Sequence, residues 1–251
     1  MSERVLRVTL SRADSLNSLD QTVLVGIAQE LEQAATDPRV RAVRIGGAGR
    51  AFSSGGSIGA DDLATAERAP ADLIEAANRA VRAIVALPCP VVAAVNGPAI
   101  GGGAALALAC DVVLASDAAF FMLSATKIGL MPDCGATSLV ATAAGRIRAM
   151  RMALLAERIS ATEALRCGLV TAVYPADGFD AEVDRQLAAL VAGPAVAMAK
   201  TKAAINAATL VRLDDSLERE KGDQSALLES PDFVEGAAAF QQKRTPRFTD
   251  S

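Results

Sequence analysis

The stretch NGPAIGGGAALALA, residues 96–109, joins an apolar run ending in VVAAV to an alanine-rich one through three consecutive glycines. A strand, a glycine cluster and a helix in that order expose the first helical N–H groups, which lack partners inside the helix, at the positive end of the helix dipole. Such a place suits an electron-rich group. A dinucleotide fold fits poorly, because there is no GxGxxG and the region around Ala125, about 20 positions on, carries no acid. A Walker loop fails for want of GK[ST]. Two readings stay open from this segment alone. The glycines either let the helix pack closely on a sheet, or offer backbone N–H groups to charge developing on a carbonyl oxygen. A donor of the second kind is worth about 2.7–4 kcal/mol in a transition state. The loop AFSSGGSI, residues 51–58, could supply a second donor, since its small residues admit a ligand close to the backbone.

Outward from this motif, strands and helices alternate. Strands are expected at Val5–Leu10, Val40–Ile45, Val91–Val95, Val112–Ala115, Ala119–Met122 and Leu169–Val173. Helices are expected at 20–35, with Asp20 as cap, at 70–86, from the glycines through Cys110, from the loop KIGLMPDCGAT toward Ala144, and in a short piece after Ser160. Further helices are expected near Phe179–Ala192, Pro194–Asn206 and Leu213–Leu228, with a tail over 232–248 that is helical and then extended. The class is α/β, with a core over 1–192 and a helical C-terminal region over 193–251. The loop Gly46–Asp62 is too long for a simple connection and is a candidate functional loop.

Composition narrows the chemistry. The 251 residues contain no histidine, which removes Ser-His-Asp and Cys-His catalysis and the HExxH metal motif together. Proton transfer falls to Asp, Glu, Lys, Tyr, Cys or water. Cys89, Cys110, Cys134 and Cys167 form no CxxC pair, which suits free thiols in a reducing compartment; no metal site is expected. A net charge of -4 without a basic block argues against nucleic acid as partner. Charges interrupt each apolar run, and the first twenty residues lack a signal-peptide core, so the expectation is a cytoplasmic protein not inserted in a membrane.

AFSSGGSI, PVVAAVNGPAIGGGAALALACDVVLAS, KIGLMPDCGAT, the run from Gly145 to Tyr174 and a final FQQKRTPRF, in this order and spacing, resemble the enoyl-CoA hydratase/isomerase (crotonase) superfamily over nearly the whole chain. The resemblance implies a spiral of ββα units with a helical C-terminal trimerisation region, assembled as a trimer or dimer of trimers. It implies an acyl-CoA thioester as substrate, no separate cofactor, and an enolate held by two backbone N–H groups. The implied donors are Ser54 and Gly102. Substrate would lie along Ser53, Gly55, Gly56 and Ile58, with Leu16, Gly101 and Leu130 nearby and Lys243 or Arg244 as a phosphate partner or a solvated surface group. Ser57 stands where many members carry Asp.

The resemblance also locates a difference. The two glutamates that hold water in hydratases correspond to Ala105 and Ala125. Asp133, in GLMPDCGAT, matches the catalytic aspartate of some isomerases, which moves a proton between carbons of a 3-enoyl-CoA to give the conjugated 2-enoyl-CoA. Burial against Leu130 and Met131 would raise its pKa into a useful range. At the start of an expected helix, Asp133 is also placed to be an N-cap. The leading expectation is therefore an enoyl-CoA delta-isomerase, beside a weak hydratase and a non-catalytic acyl-CoA binder. Asp111 is expected to cap or pair, and Cys134 to be a small buried side chain.

Overall fold

A computed structural model describes residues 4–56 and 70–249 of the chain. Strands β1 (Val5–Leu10), β2 (Ala42–Gly47), β3 (Val91–Val95), β4 (Ala99–Ile100), β5 (Val112–Ser116), β6 (Phe120–Met122), β7 (Ile159–Ser160) and β8 (Ala172–Tyr174) build two sheets. The larger is wholly parallel in the order β1-β2-β3-β5-β8. In the smaller, β4 runs parallel to β6 and β6 antiparallel to β7. Every residue of β3 is buried, as a parallel strand covered on both faces requires. Three residues then carry the chain from the large sheet to β4 in the small one, and the three glycines turn it into a helix. That is one ββα step.

The helices are α1 (Gln21–Thr36), α2 (Pro70–Ala86), α3 (Gly102–Ala109), α4 (Ala136–Leu155), α5 (Ala161–Arg166), α6 (Phe179–Ala192), α7 (Ala195–Thr209), α8 (Leu213–Leu228) and α9 (Pro231–Gln241). Asp20 caps α1 by accepting the Val23 N–H at 2.8 Å. Two expected strands shift. The second begins at Ala42, and the last begins at Ala172, because Leu169 and Val170 are apolar for the core and not for a ladder. The helix expected to end near Ala144 breaks there, at Gly145 with φ 79° and ψ 159°, and then resumes to Leu155.

Leu24, Ile27 and Leu31 of α1, Ala80 and Ile84 of α2, and strand residues such as Val43, Ile45 and Val91 form one apolar cluster. Leu213 and Leu217 of α8 join it, so the C-terminal region shares the core of the rest. Helix α7 differs, since it adds no buried apolar residue to that cluster. Polar bonds hold it: Lys202 Nζ donates to the Ile84 carbonyl at 2.9 Å and pairs with Asp111 at 2.8 Å, while Asn206 Nδ2 donates to the Val85 carbonyl at 3.1 Å. Asp111 also accepts the Val91 N–H at 2.8 Å, the pairing role expected of it. Among the described residues no single helix is long and apolar enough to cross a membrane.

Candidate active site

The glycine turn is held by close contacts that only glycines permit. Gly101, at φ 53° and ψ -124°, precedes α3 and donates its N–H to the Met122 carbonyl at 2.8 Å. A Cβ on Gly103 would sit 2.6 Å from the Cβ of Ser53. A Cβ on Gly55 would sit 2.6 Å from the Ile100 carbonyl oxygen and 3.4 Å from the Gly102 nitrogen. The 53–56 loop therefore lies across the first turn of α3. Ser53 is fully buried, donating its hydroxyl to the Asn17 carbonyl at 2.8 Å and accepting the Gly55 N–H at 3.1 Å, so its side chain serves the scaffold.

The amides divide sharply. Ser54 N–H donates to the carbonyl of Leu16 at 2.9 Å, so the donor role expected of Ser54 is not open to it. Leu16 itself supports that loop from a left-handed conformation, φ 55°. Gly56 is the next residue whose N–H has no protein acceptor among the described residues, and the same holds for Gly102. Ile58 and Ser57 lie outside the described residues.

Asp133 stands beside this glycine turn. A Cβ on Gly102 would meet the Cys134 sulfur at 3.4 Å, and that thiol donates to Asp133 Oδ1 at 3.3 Å. Asp133 Oδ2 accepts from Gln224 Nε2 at 3.1 Å. Burial, the main cause, pushes the Asp133 carboxyl above its ordinary 3.8, against the lowering effect of its neutral donors. The Cys134 thiol is pushed far up by burial and then by the neighbouring Asp133 charge, so it stays protonated and donates. A small, buried Cys134 agrees with the sequence reading.

Asp133 is not the helix cap that its position suggests. Helix α4 starts at Ala136, with Gly135 as its N-cap residue in a left-handed conformation. The amides there go to Glu220 of α8: Gly135 N–H to Oε2 at 2.6 Å and Thr137 N–H to Oε1 at 3.1 Å, joined by the Thr137 hydroxyl. Glu220 is 1% exposed and Gln224 4%, buried polar residues that the sequence reading passed over. A signal was available. Leu213, Leu217, Glu220 and Gln224 recur at helical spacing, so two polar residues continue the apolar stripe of α8 and must meet polar groups inside.

Other expected residues fall elsewhere. Leu130 packs against Ile128 and Phe233 of α9 in a satellite cluster. Lys243 is exposed on the tail after α9, where Arg244 is paired with Glu235 at 2.7 Å, and neither touches the amides or Asp133. Ala105 is wholly buried inside α3, and Ala125 opens a short 3-10 turn, Ala125–Ile128. Among the described residues no group of three Cys, Asp or Glu side chains is placed to hold a metal ion.

The family model described as enoyl-CoA hydratase/isomerase matches residues 1–251. The chain belongs to that family. A probable enoyl-CoA hydratase of Rhodobacter capsulatus is 41% identical over 249 residues, covering 99% of this chain and 96% of its own. The 1,2-epoxyphenylacetyl-CoA isomerase of Escherichia coli is 38% identical over 250 residues, covering 98% and 95%. A solved enoyl-CoA hydratase from Mycobacterium avium subsp. paratuberculosis shares the crotonase fold with a TM-score of 0.94 and 64% identity, covering 100% of this chain and 97% of that one. This crotonase is accordingly an acyl-CoA enzyme of the hydratase/isomerase family.

Proposed function

We propose that this crotonase is an enoyl-CoA delta-isomerase that converts a 3-enoyl-CoA to the 2-enoyl-CoA, with Asp133 as the single proton carrier. The observation that carries this reading is the contact chain from Gly102 through the Cys134 thiol to the Asp133 carboxyl. It sets one base beside one free amide. In the reaction, ionised Asp133 takes a proton from C2 of the thioester, and the C–H electron pair moves into the carbonyl to give a dienolate. The amides of Gly102 and Gly56 are the donors for its oxygen. Asp133 then returns the proton to C4, the carbonyl re-forms and the double bond stands between C2 and C3. Atoms and oxidation state balance, so no cofactor beyond the substrate's own coenzyme A is needed.

A raised pKa serves both halves of this cycle, because a carboxyl that is too acidic neither removes nor returns the proton efficiently. Hydration is the second reading, favoured by the hydratase names of the Rhodobacter relative and the Mycobacterium structure. Against it, a buried alanine at 105 and an alanine at 125 leave no carboxylates to hold an attacking water. Self-association belongs to the same proposal: α7 buries no apolar side chain fully in the protomer and exposes Val196 and Ile205, a surface suited to the expected trimer.

The test is turnover of 3-enoyl-CoA and 2-enoyl-CoA by the wild type and by Asp133→Ala. The expected result is isomerisation well above hydration, lost by about 10²–10⁴-fold in kcat in the variant with acyl-CoA still bound. Full isomerase turnover by Asp133→Ala would remove Asp133 from the mechanism. A wild type that binds acyl-CoA and converts neither substrate is a binder, not an isomerase.

A further inference from the structure

We propose that Glu220 is a positioning residue for Asp133: by occupying the amide donors at the start of α4 it denies them to the Asp133 carboxylate and leaves that carboxylate facing Cys134 and Gly102. The inference rests on the isomerase reading for its kinetic consequence, although the geometry stands apart from it.

An aspartate two residues before a helix N-cap has nearby a set of N–H groups without intrahelical partners and the positive end of a dipole. Left alone, its carboxylate would accept them, and hydrogen bonds to the charged form would hold it ionised and weakly basic. Here those donors are taken. Glu220 comes from α8, far along the chain, and spends both oxygens on Gly135 and Thr137. What Asp133 keeps is the Gln224 side-chain amide, the Cys134 thiol and its own backbone N–H, all neutral. Gln224 stands one helical turn beyond Glu220 and also accepts the Met131 N–H at 3.1 Å, so one face of α8 holds the turn at both ends.

The backbone agrees. Cys134 and Gly135 are consecutive left-handed residues, φ 58° and 77°, in a tight turn whose Asp133 carbonyl accepts the Ala136 N–H at 3.0 Å, so the Asp133 backbone is tied to the start of α4 while its side chain bonds Cys134 and Gln224. A left-handed residue other than glycine is unfavourable by itself, so this turn needs an outside hold. The Glu220 bond to Gly135 N–H is one. A buried carboxylate is a costly way to cap a helix that a local serine or aspartate could cap, which points to a role beyond capping.

Charge around the pair is sparse. On α2 and α8, Arg82 pairs with Asp214 and Glu218, and Lys221 with Glu75, on the outer side. Arg148 and Arg151 of α4 pair with Glu163, and Glu235 of α9 with Arg244. Among the described residues the titratable groups that meet Glu220 and Asp133 are each other and Cys134.

The experiment compares wild type, Glu220→Gln and Glu220→Ala, each confirmed folded by near-UV circular dichroism. Gln keeps one acceptor oxygen in nearly the same volume, whereas Ala frees all the donors. Two readouts are taken: kcat and acyl-CoA Kd with a 3-enoyl-CoA, and the titration of the Asp133 carboxyl followed by 13C NMR. The expected result is a lower Asp133 midpoint in both variants, more so in Ala, with kcat down by about 10²-fold in Ala, less in Gln, and Kd within about twofold. Both variants lose the Glu220 charge, which alone lowers the midpoint, so an Asp133 midpoint no lower in Glu220→Ala than in Glu220→Gln overturns the inference, whatever kcat does. Should the wild type fail to isomerise while the Ala midpoint still falls below the Gln one, the isomerase reading is lost and the positioning role is supported.

Discussion

The two halves of this site are built by opposite means. The amide half, formed by the 53–56 loop and the first turn of α3, is held by glycine close contacts, by the Ser53 hydroxyl and by backbone carbonyls of Leu16, Asn17 and Met122. The carboxylate half, the turn from Met131 to Thr137, is held by the side chains of a helix more than 80 residues later, since Glu220 and Gly135 are separated by 85 positions. The first half is local chemistry written in a motif. The second depends on where α8 lands.

Substitution should expose that contrast. In the amide half, Gly55→Ala combines a left-handed φ of 85° with a Cβ 2.6 Å from the Ile100 carbonyl oxygen. Strain and overlap together should cost about 2–5 kcal/mol, read as a lower denaturant midpoint at unchanged m-value. Gly102→Ala is the control within the same motif. Its Cβ would meet Cys134 and Leu19 no closer than 3.4 Å, and its backbone is helical. Stability should change by no more than about 0.5 kcal/mol, because gained helix propensity offsets the tight fit. Turnover should still fall, as the methyl presses on the Cys134 thiol that bonds Asp133. If both variants are equally unstable, the division of roles among the glycines is wrong.

These residues also show what sequence could reveal. The glycine triplet and AFSSGGSI pointed to a backbone donor site and, by resemblance, to the crotonase family, because glycine is constrained by its own φ and by close approach. That Ser54 N–H is taken while Gly56 N–H is left could not be read that way, since it turns on the Leu16 carbonyl, which reaches the loop only in the fold. Asp133 and the burial that raises its carboxyl are legible in the sequence, but the hold on its turn from α8 is not. Its reading as an N-cap followed a sound local rule, and Glu220 overrides it from a distance. Likewise β4 and β7, of two residues each, are too short to leave a periodic trace.

In the carboxylate half, Gln224→Met keeps much of the side-chain volume and removes both polar contacts. The Met131 N–H and Asp133 Oδ2 would lose their partners in a partly buried turn. A loss of about 1–3 kcal/mol is expected, the usual cost of leaving buried polar groups unpaired. Because the change lies on α8, it should also speed hydrogen exchange at Met131 while leaving that of Gly101 unchanged. Equal acceleration at both amides would mean that the halves open as one unit.

The smallest effect is a slope with pH, and it belongs to one half alone. Ser53, Ser54 and the glycines offer nothing to titrate near neutrality, whereas Asp133 and Glu220 both have carboxyls raised by burial above their ordinary 3.8 and 4.5. A folded state that binds protons more tightly than the unfolded chain is favoured at low pH. The contribution of these groups is fully present below the ordinary values and is lost as pH rises through the raised ones. Asp133→Asn removes one such group, so its stability relative to wild type should increase as pH rises from about 4, with less salt dependence than an exposed ion pair, since a partly buried group is screened less. Glu235 supplies the opposite sign: held by Arg244 and the Arg247 N–H, its carboxyl falls to about 2, so its stabilisation is present above 4.5 and fades as pH drops toward 2. That exposed pair should also weaken with salt. Were the Asp133→Asn difference to shrink with rising pH, or to vanish in salt, Asp133 would be an ordinary surface carboxylate, and the separation of the site into a silent amide half and a titrating carboxylate half would fail with it.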